Sequence, residues 1–163
     1  MAFPAISGGI RMKKDFRALE KMMRRDPEAF FIAMSRAAVQ MLNWCNLGSA
    51  RDSRKPPIRW GVLRGSSSAF IGNKLIGTFP QAISPGAGES PTPAVSHQAK
   101  PTVLTFVWNT DYATKMHEWK GGWGDFTIQD GDAGNKWLER HLQADKNDLM
   151  KLISTEFKKE AGL

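Results

Sequence analysis

The stretch from Pro27 to Leu47 constrains the fold more than any other part of the chain. Read as a helix, it places Glu28, Ser35, Arg36, Gln40, Asn43 and Asn46 on one narrow polar stripe. Phe30, Phe31, Ile32, Met34, Val39, Met41, Leu42, Trp44 and Leu47 cover most of the remaining surface. A surface helix of a monomer has a wider polar face, so this one needs apolar partners on more than one side. It is either the central helix of the domain, the preferred reading, or a helix that also meets a neighbouring subunit. Asp26-Pro27-Glu28 marks its start: an aspartate to cap, a proline suited to the first helical position and an acid at the positive end of the dipole. Gly48-Ser49 closes it.

The rest of the chain supplies partners for such a helix. Residues 11–25 carry Met12, Phe16, Leu19, Met22 and Met23 at helical spacing. Arg51 to Pro57 is a basic loop. Ser67–Ile71 and Leu75–Phe79 form two short strands around a Gly72-Asn73 turn. Residues 80–101, rich in proline, glycine and small polar residues, lack the apolar content to pack and are expected as a long mobile loop or arm. Thr102–Asn109 is rich in β-branched and aromatic residues and forms a further strand. Tyr112–Trp119 is a short helix or turn, and one last helix runs from Asn135 to Glu160. The expected architecture is α+β: an antiparallel sheet against two or three helices, with a long central helix, a C-terminal helix and extended loops. One domain spans residues 1–163, with a flexible N-terminus over 1–10.

The net charge of +7 is unevenly placed. Thirteen basic and five acidic residues lie between Arg11 and Arg64, against ten and eleven from Gly65 onward. The excess suits contact with a polyanion or an acidic protein face. A solubilising surface would look the same. The one cysteine, Cys45, excludes an internal disulfide and any cysteine-rich metal site. No run reaches the roughly 18–20 apolar residues of a membrane span, and Met1–Ile6 does not read as a secretory signal. No membrane contact is expected.

Catalytic chemistry finds little support. No two of His97, His117 and His141 have the spacing of a helical metal site. Gly121-Gly122-Trp123-Gly124 lacks the Gly-Lys-Ser/Thr ending of a phosphate loop. Asp125, Asp130 and Asp132 lack the pattern of a calcium loop. Ser66-Ser67-Ser68 has no nucleophile-elbow context. No catalytic residue, cofactor or metal ligand is assigned, and the expectation is a protein that is not an enzyme. Six tryptophans, at 44, 60, 108, 119, 123 and 137, are scattered through the chain. Core packing and protein interfaces account for such residues.

Three separated segments carry a resemblance. The first is Pro57-Ile58-Arg59-Trp60-Gly61-Val62-Leu63-Arg64-Gly65-Ser66, in which Pro57, Gly61, Leu63, Arg64 and Ser66 fall in register with a family pattern. The second, Tyr112-Ala113-Thr114-Lys115-Met116-His117-Glu118-Trp119, matches a Tyr-Ala pair followed by a His-Glu pair. The third, Lys136-Trp137-Leu138-Glu139-Arg140-His141-Leu142, matches the start of a final helix. Together, from about Met12 to Phe157, the chain resembles the neck and tail-completion (head–tail joining) proteins of tailed bacteriophages. Residues 80–101 and 120–134 stand as looser insertions. The chain departs from the family at Arg59 and Trp60, where an aspartate and a threonine are usual.

The resemblance implies a structural virion protein. Such a subunit would assemble in the bacterial host cytoplasm into a homo-oligomeric ring at the head–tail junction. Its neighbours would be head-completion or portal-side and tail-tube proteins, and non-specific contact with genomic DNA is possible. Pro57, Gly61, Leu63, Arg64, Ser66, Tyr112, His117, Glu118, Trp137 and Leu138 are then expected as scaffold. In this reading Leu63 plugs the core and Arg64 pairs with an acid or lines the channel. Arg11, Lys13, Lys14, Arg17, Arg24, Arg25, Arg51, Arg54 and Lys55 are candidates for facing DNA or an acidic partner. Phe31, Trp44, Trp60, Trp119 and Trp123 are candidates for the subunit interface. The alternative is a nucleic-acid-binding accessory protein using the same basic third. It predicts micromolar or tighter binding by the isolated chain with a steep salt dependence, whereas the ring reading predicts weak binding by one copy.

Overall fold

The structure, a computed structural model, describes residues 6–9, 16–56, 61–81, 103–118 and 134–163. Their order is β1 (Ile6–Gly9), α1 (Phe16–Arg25), α2 (Pro27–Leu47), α3 (Val62–Gly65), β2 (Ser67–Ile71), β3 (Lys74–Thr78), β4 (Leu104–Trp108), α4 (Ala113–Glu118), α5 (Trp137–Ala144) and α6 (Lys146–Glu160). The strands form one sheet in the order β1-β4-β2-β3, antiparallel throughout. The class is the expected α+β, with helices packed on an antiparallel sheet. No described helix is long and apolar enough to cross a membrane.

α2 is the central element. It packs against α6, α1 and α5 on one side and against β2 and β3 on the other. Its 21 residues extend about 30 Å at 1.5 Å per residue, so one helix serves both layers. Ala29, Phe30, Ala33, Met34, Ala37, Ala38, Met41, Leu42 and Cys45 are all buried. The alanines let neighbouring backbones come close, and the larger side chains fill the space between them. From the sheet, Ala69 and Ile71 of β2 and Leu104, Phe106 and Trp108 of β4 join the same core. Their spacing of two puts them on one face. From α6, Leu149, Ile153 and Phe157 close it.

The ends of α2 follow from local chemistry. The Asp26 carboxylate accepts a hydrogen bond from the Ala29 amide at 3.0 Å, which satisfies one donor that the first turn leaves free. Gly48, at φ +86°, ends the helix, and its amide reaches the Trp44 carbonyl. A Cβ at Gly48 would also crowd the Ser53 backbone at 3.0 Å. Asp26→Ala is expected to lower stability by about 1 kcal/mol, the usual worth of such a cap, measured by urea unfolding.

Four sequence expectations need correction. Residues 6–9, assigned to a flexible N-terminus, form β1 and pair with β4 from Ile6↔Trp108 to Gly9↔Thr105. Two consecutive glycines disguise that strand. The second hairpin strand starts at Lys74, one residue early, because the two-residue turn at Gly72-Asn73 fixes the pairing Ile71↔Lys74. The single final helix is two helices. The chain leaves helical geometry at Asp145 (φ −97°, ψ 1°), whose side chain is held by His141 and Ser49. Asn46, placed on the polar stripe of α2, is fully buried. α3 was not foreseen. The expected arm at 80–101 lies outside the described residues except for Pro80 and Gln81.

Candidate functional site

The three segments that carry the resemblance lie far apart in sequence and meet around the end of β4. The first enters through Gly61, which takes φ +84°, a conformation open to glycine at little cost. Leu63 follows and sits in the core at 4 % exposure, as expected. Gly61→Ala is expected to cost about 1–2 kcal/mol, the strain of a Cβ in the left-handed region, read as a lower unfolding midpoint. Arg64 is buried, and its Nε and Nη2 donate to the Pro56 carbonyl at 2.9 and 2.7 Å. It therefore ties the incoming loop to α3 from inside the fold, which corrects the expectation that it lines a channel. Ser66 Oγ donates to the Leu63 carbonyl at 2.8 Å and Ser67 Oγ to the Arg64 carbonyl at 2.7 Å.

A buried polar relay joins this turn to the centre. Asn46 Nδ2 donates to Ser67 Oγ and to the Leu42 carbonyl, both at 2.9 Å, while its Oδ1 accepts from Trp108 Nε1 at 3.2 Å. One amide thus connects α2, β2 and β4, and each of its partners is satisfied. Trp108 meets Trp137 edge to face at 6.1 Å, and Trp137 meets His117 edge to face at 4.8 Å. The Lys136 amide donates to the His117 carbonyl at 2.9 Å. Here the second and third segments touch. Leu138 is buried, and Tyr112 packs half-buried against the core. Glu118 accepts from Lys136 Nζ and lies 2.9 Å from His117 Nδ1. The lysine first and the histidine second hold the Glu118 carboxyl below its usual range. Among the described residues, His117 Nε2 and Trp137 Nε1 are buried without a hydrogen-bond partner, a cost the ring packing must offset.

The basic loop after α2 is knitted to the C-terminal helices. Ser49 Oγ donates to Asp145 Oδ1 at 2.7 Å, and His141 Nδ1 lies 2.6 Å from Asp145 Oδ2. His141 Nε2 lies 2.6 Å from the Arg54 carbonyl. Arg140 Nε donates to Asp52 at 2.8 Å, and the Gly134 amide donates to the Lys55 carbonyl at 3.0 Å. Arg51 pairs with Asp148 at 2.9 Å, an interaction that raises the arginine's pKa and lowers the aspartate's. The Arg54 side chain lies against Gly134. Arg51 and Arg54, expected to meet DNA or an acidic partner, are thus engaged within the chain. Arg36 is likewise paired, with Glu156 and Glu160. Arg17, Arg24 and Arg25 remain on the exposed side of α1. Arg11, Lys13 and Lys14 lie outside the described residues.

Of the expected interface residues, Phe31 and Trp44 are half-buried against the chain's own core, and Lys74 Nζ stands 4.4 Å over the Phe31 ring. Pro57, Trp60, Trp119 and Trp123 lie outside the described residues, as do His97, the 121–124 glycines and the three loop aspartates. The remaining histidines are accounted for by packing: His117 and His141 are both buried. Among the described residues no three His, Cys, Asp or Glu side chains cluster as a metal site would. Burial first, with Asp145 nearby second, pushes the Cys45 thiol up. Thiol reagents are expected to modify Cys45 only when the chain unfolds, which labelling across a urea gradient would show. The chain matches no family model, no curated protein and no solved structure.

Proposed function

We propose that the chain is a ring-forming structural subunit at the head–tail junction of a tailed bacteriophage, working by shape and charge. The observation that supports this most is the convergence of the three resembling segments. Gly61–Ser66, Tyr112–Glu118 and Lys136–Leu138 belong to distant parts of the sequence, yet they are linked: Ser67 Oγ donates to the Arg64 carbonyl and accepts from Asn46, and Asn46 leads through Trp108 and Trp137 to His117. The scaffold role fits their burial, and a rigid α+β unit suits a part that must repeat around a closed circle.

Head-completion or portal-side proteins and tail-tube proteins are the neighbours in this reading, with the virion as the place of action. The test is removal of the gene from a phage that carries it. Expected are DNA-filled heads and finished tails that fail to join, restored by supplying the chain in trans. Infectious particles without it would contradict the proposal.

A further inference from the structure

The structure sorts the chain's excess positive charge into two kinds. Around α2 and the loop that follows it, Arg36 and Arg51 are answered by acids on α6. On α1, Arg17, Lys21, Arg24 and Arg25 are all exposed, and among the described residues no hydrogen bond, ion pair or ring contact engages them. Their spacing of i, i+4, i+7 and i+8 puts them on one face, opposite buried Leu19 and half-buried Met22 and Met23. Four cations therefore stand within about 12 Å along the helix axis.

We propose that this outer face of α1 is a docking surface for the phosphodiester backbone of a nucleic-acid duplex, held without regard to sequence. One observation favours this partner over an acidic protein, and a second favours a duplex over a single strand. From Arg17 to Arg25 the face carries no large apolar side chain: among the described residues the exposed large hydrophobics are Val39, Leu47, Leu75 and Leu163, none of them on α1. A protein interface needs an apolar or aromatic centre, whereas a phosphate backbone needs only well-spaced donors and charge. No aromatic residue lies between the cations, so the face lacks the stacking platform that single strands use. Four contacts give weak binding by one copy at physiological salt. Repetition of the face in a ring would strengthen it by avidity. The proposal stands on charge and exposure, independently of the ring reading, and adds to that reading which side of the subunit meets the genome.

The test is binding of the full chain to a generic 20-base-pair DNA duplex by fluorescence anisotropy, titrated with salt from 20 mM upward. The logarithmic salt slope is expected near −3.6, about −0.9 for each of four phosphate contacts, so affinity falls roughly 150-fold between 50 and 200 mM. The variant Arg17→Gln/Lys21→Gln/Arg24→Gln/Arg25→Gln should melt like the parent and lose that slope. Lys158→Gln/Lys159→Gln, on the exposed end of α6, should keep it. An unchanged slope in the fourfold variant, or no binding by the parent at 20 mM salt, overturns the proposal. So does polyglutamate held as tightly as the duplex through the same four residues, which would identify an acidic protein as the partner. A chain that forms rings yet binds no duplex sinks this inference alone. A chain that binds duplex but never joins heads to tails sinks the ring reading alone.

Discussion

Leu63→Asp is expected to leave no folded protein at 25 °C. Leu63 is 4 % exposed and belongs to the same core as α2 and β4. Removing its side chain forfeits about 2–3 kcal/mol of apolar burial. Placing an unpaired carboxylate there adds several kcal/mol more, because the position is buried. Domains have only about 5–15 kcal/mol in hand, so the sum removes most or all of it. Leu63→Met, which keeps volume and polarity, should cost under about 1.5 kcal/mol. Far-UV circular dichroism and thermal melting separate the two. A melting temperature of Leu63→Asp equal to the parent's would show that the core does not depend on this side chain.

Asp145→Ala should be the most damaging polar substitution. Asp145 is 1 % exposed and accepts from Ser49 while facing His141 Nδ1. Its removal leaves buried His141 Nδ1 without its partner, at about 1–3 kcal/mol, and takes the closest acceptor from half-buried Ser49 Oγ. The consequence reaches beyond the local loss. Asp145 sits at the break between α5 and α6, and His141 passes the contact on to the Arg54 carbonyl. The loop from Ser49 to Lys55 is therefore expected to loosen with it. A fall of about 2–5 kcal/mol in urea unfolding, with faster amide exchange at Arg51 and Arg54, is the expected result. Stability within 0.5 kcal/mol of the parent, the ordinary range for surface substitutions, would mean that the network is not holding the loop.

Periodicity carried most of what the sequence revealed. α2 was legible because its apolar residues left so little polar face, and the hairpin because Gly72-Asn73 admits one tight turn. Capping at Asp26 and closure at Gly48 follow from residue type alone. What escaped notice depends on distant partners. Asn46 reads as a surface residue until Trp108 and Ser67 arrive beside it. Asp145 reads as mid-helix until Ser49 and His141 claim its carboxylate. β1 has glycines where a strand normally shows branched side chains, so only its pairing with β4 reveals it. The same limit governs the charged surface: from sequence, Arg51 and Arg24 are alike, and only the fold brings Asp148 to the one and leaves the other free.

The proposed function requires one location and one architecture, a closed circle of copies where head meets tail. The most direct measurement is electron microscopy of virions that carry an epitope-tagged copy of this chain, labelled with antibody and averaged about the tail axis. A ring-forming junction subunit places label at the junction alone, on a ring of density that disappears with the gene. Label spread over the capsid or at the distal tail, or virions without any label, would contradict it.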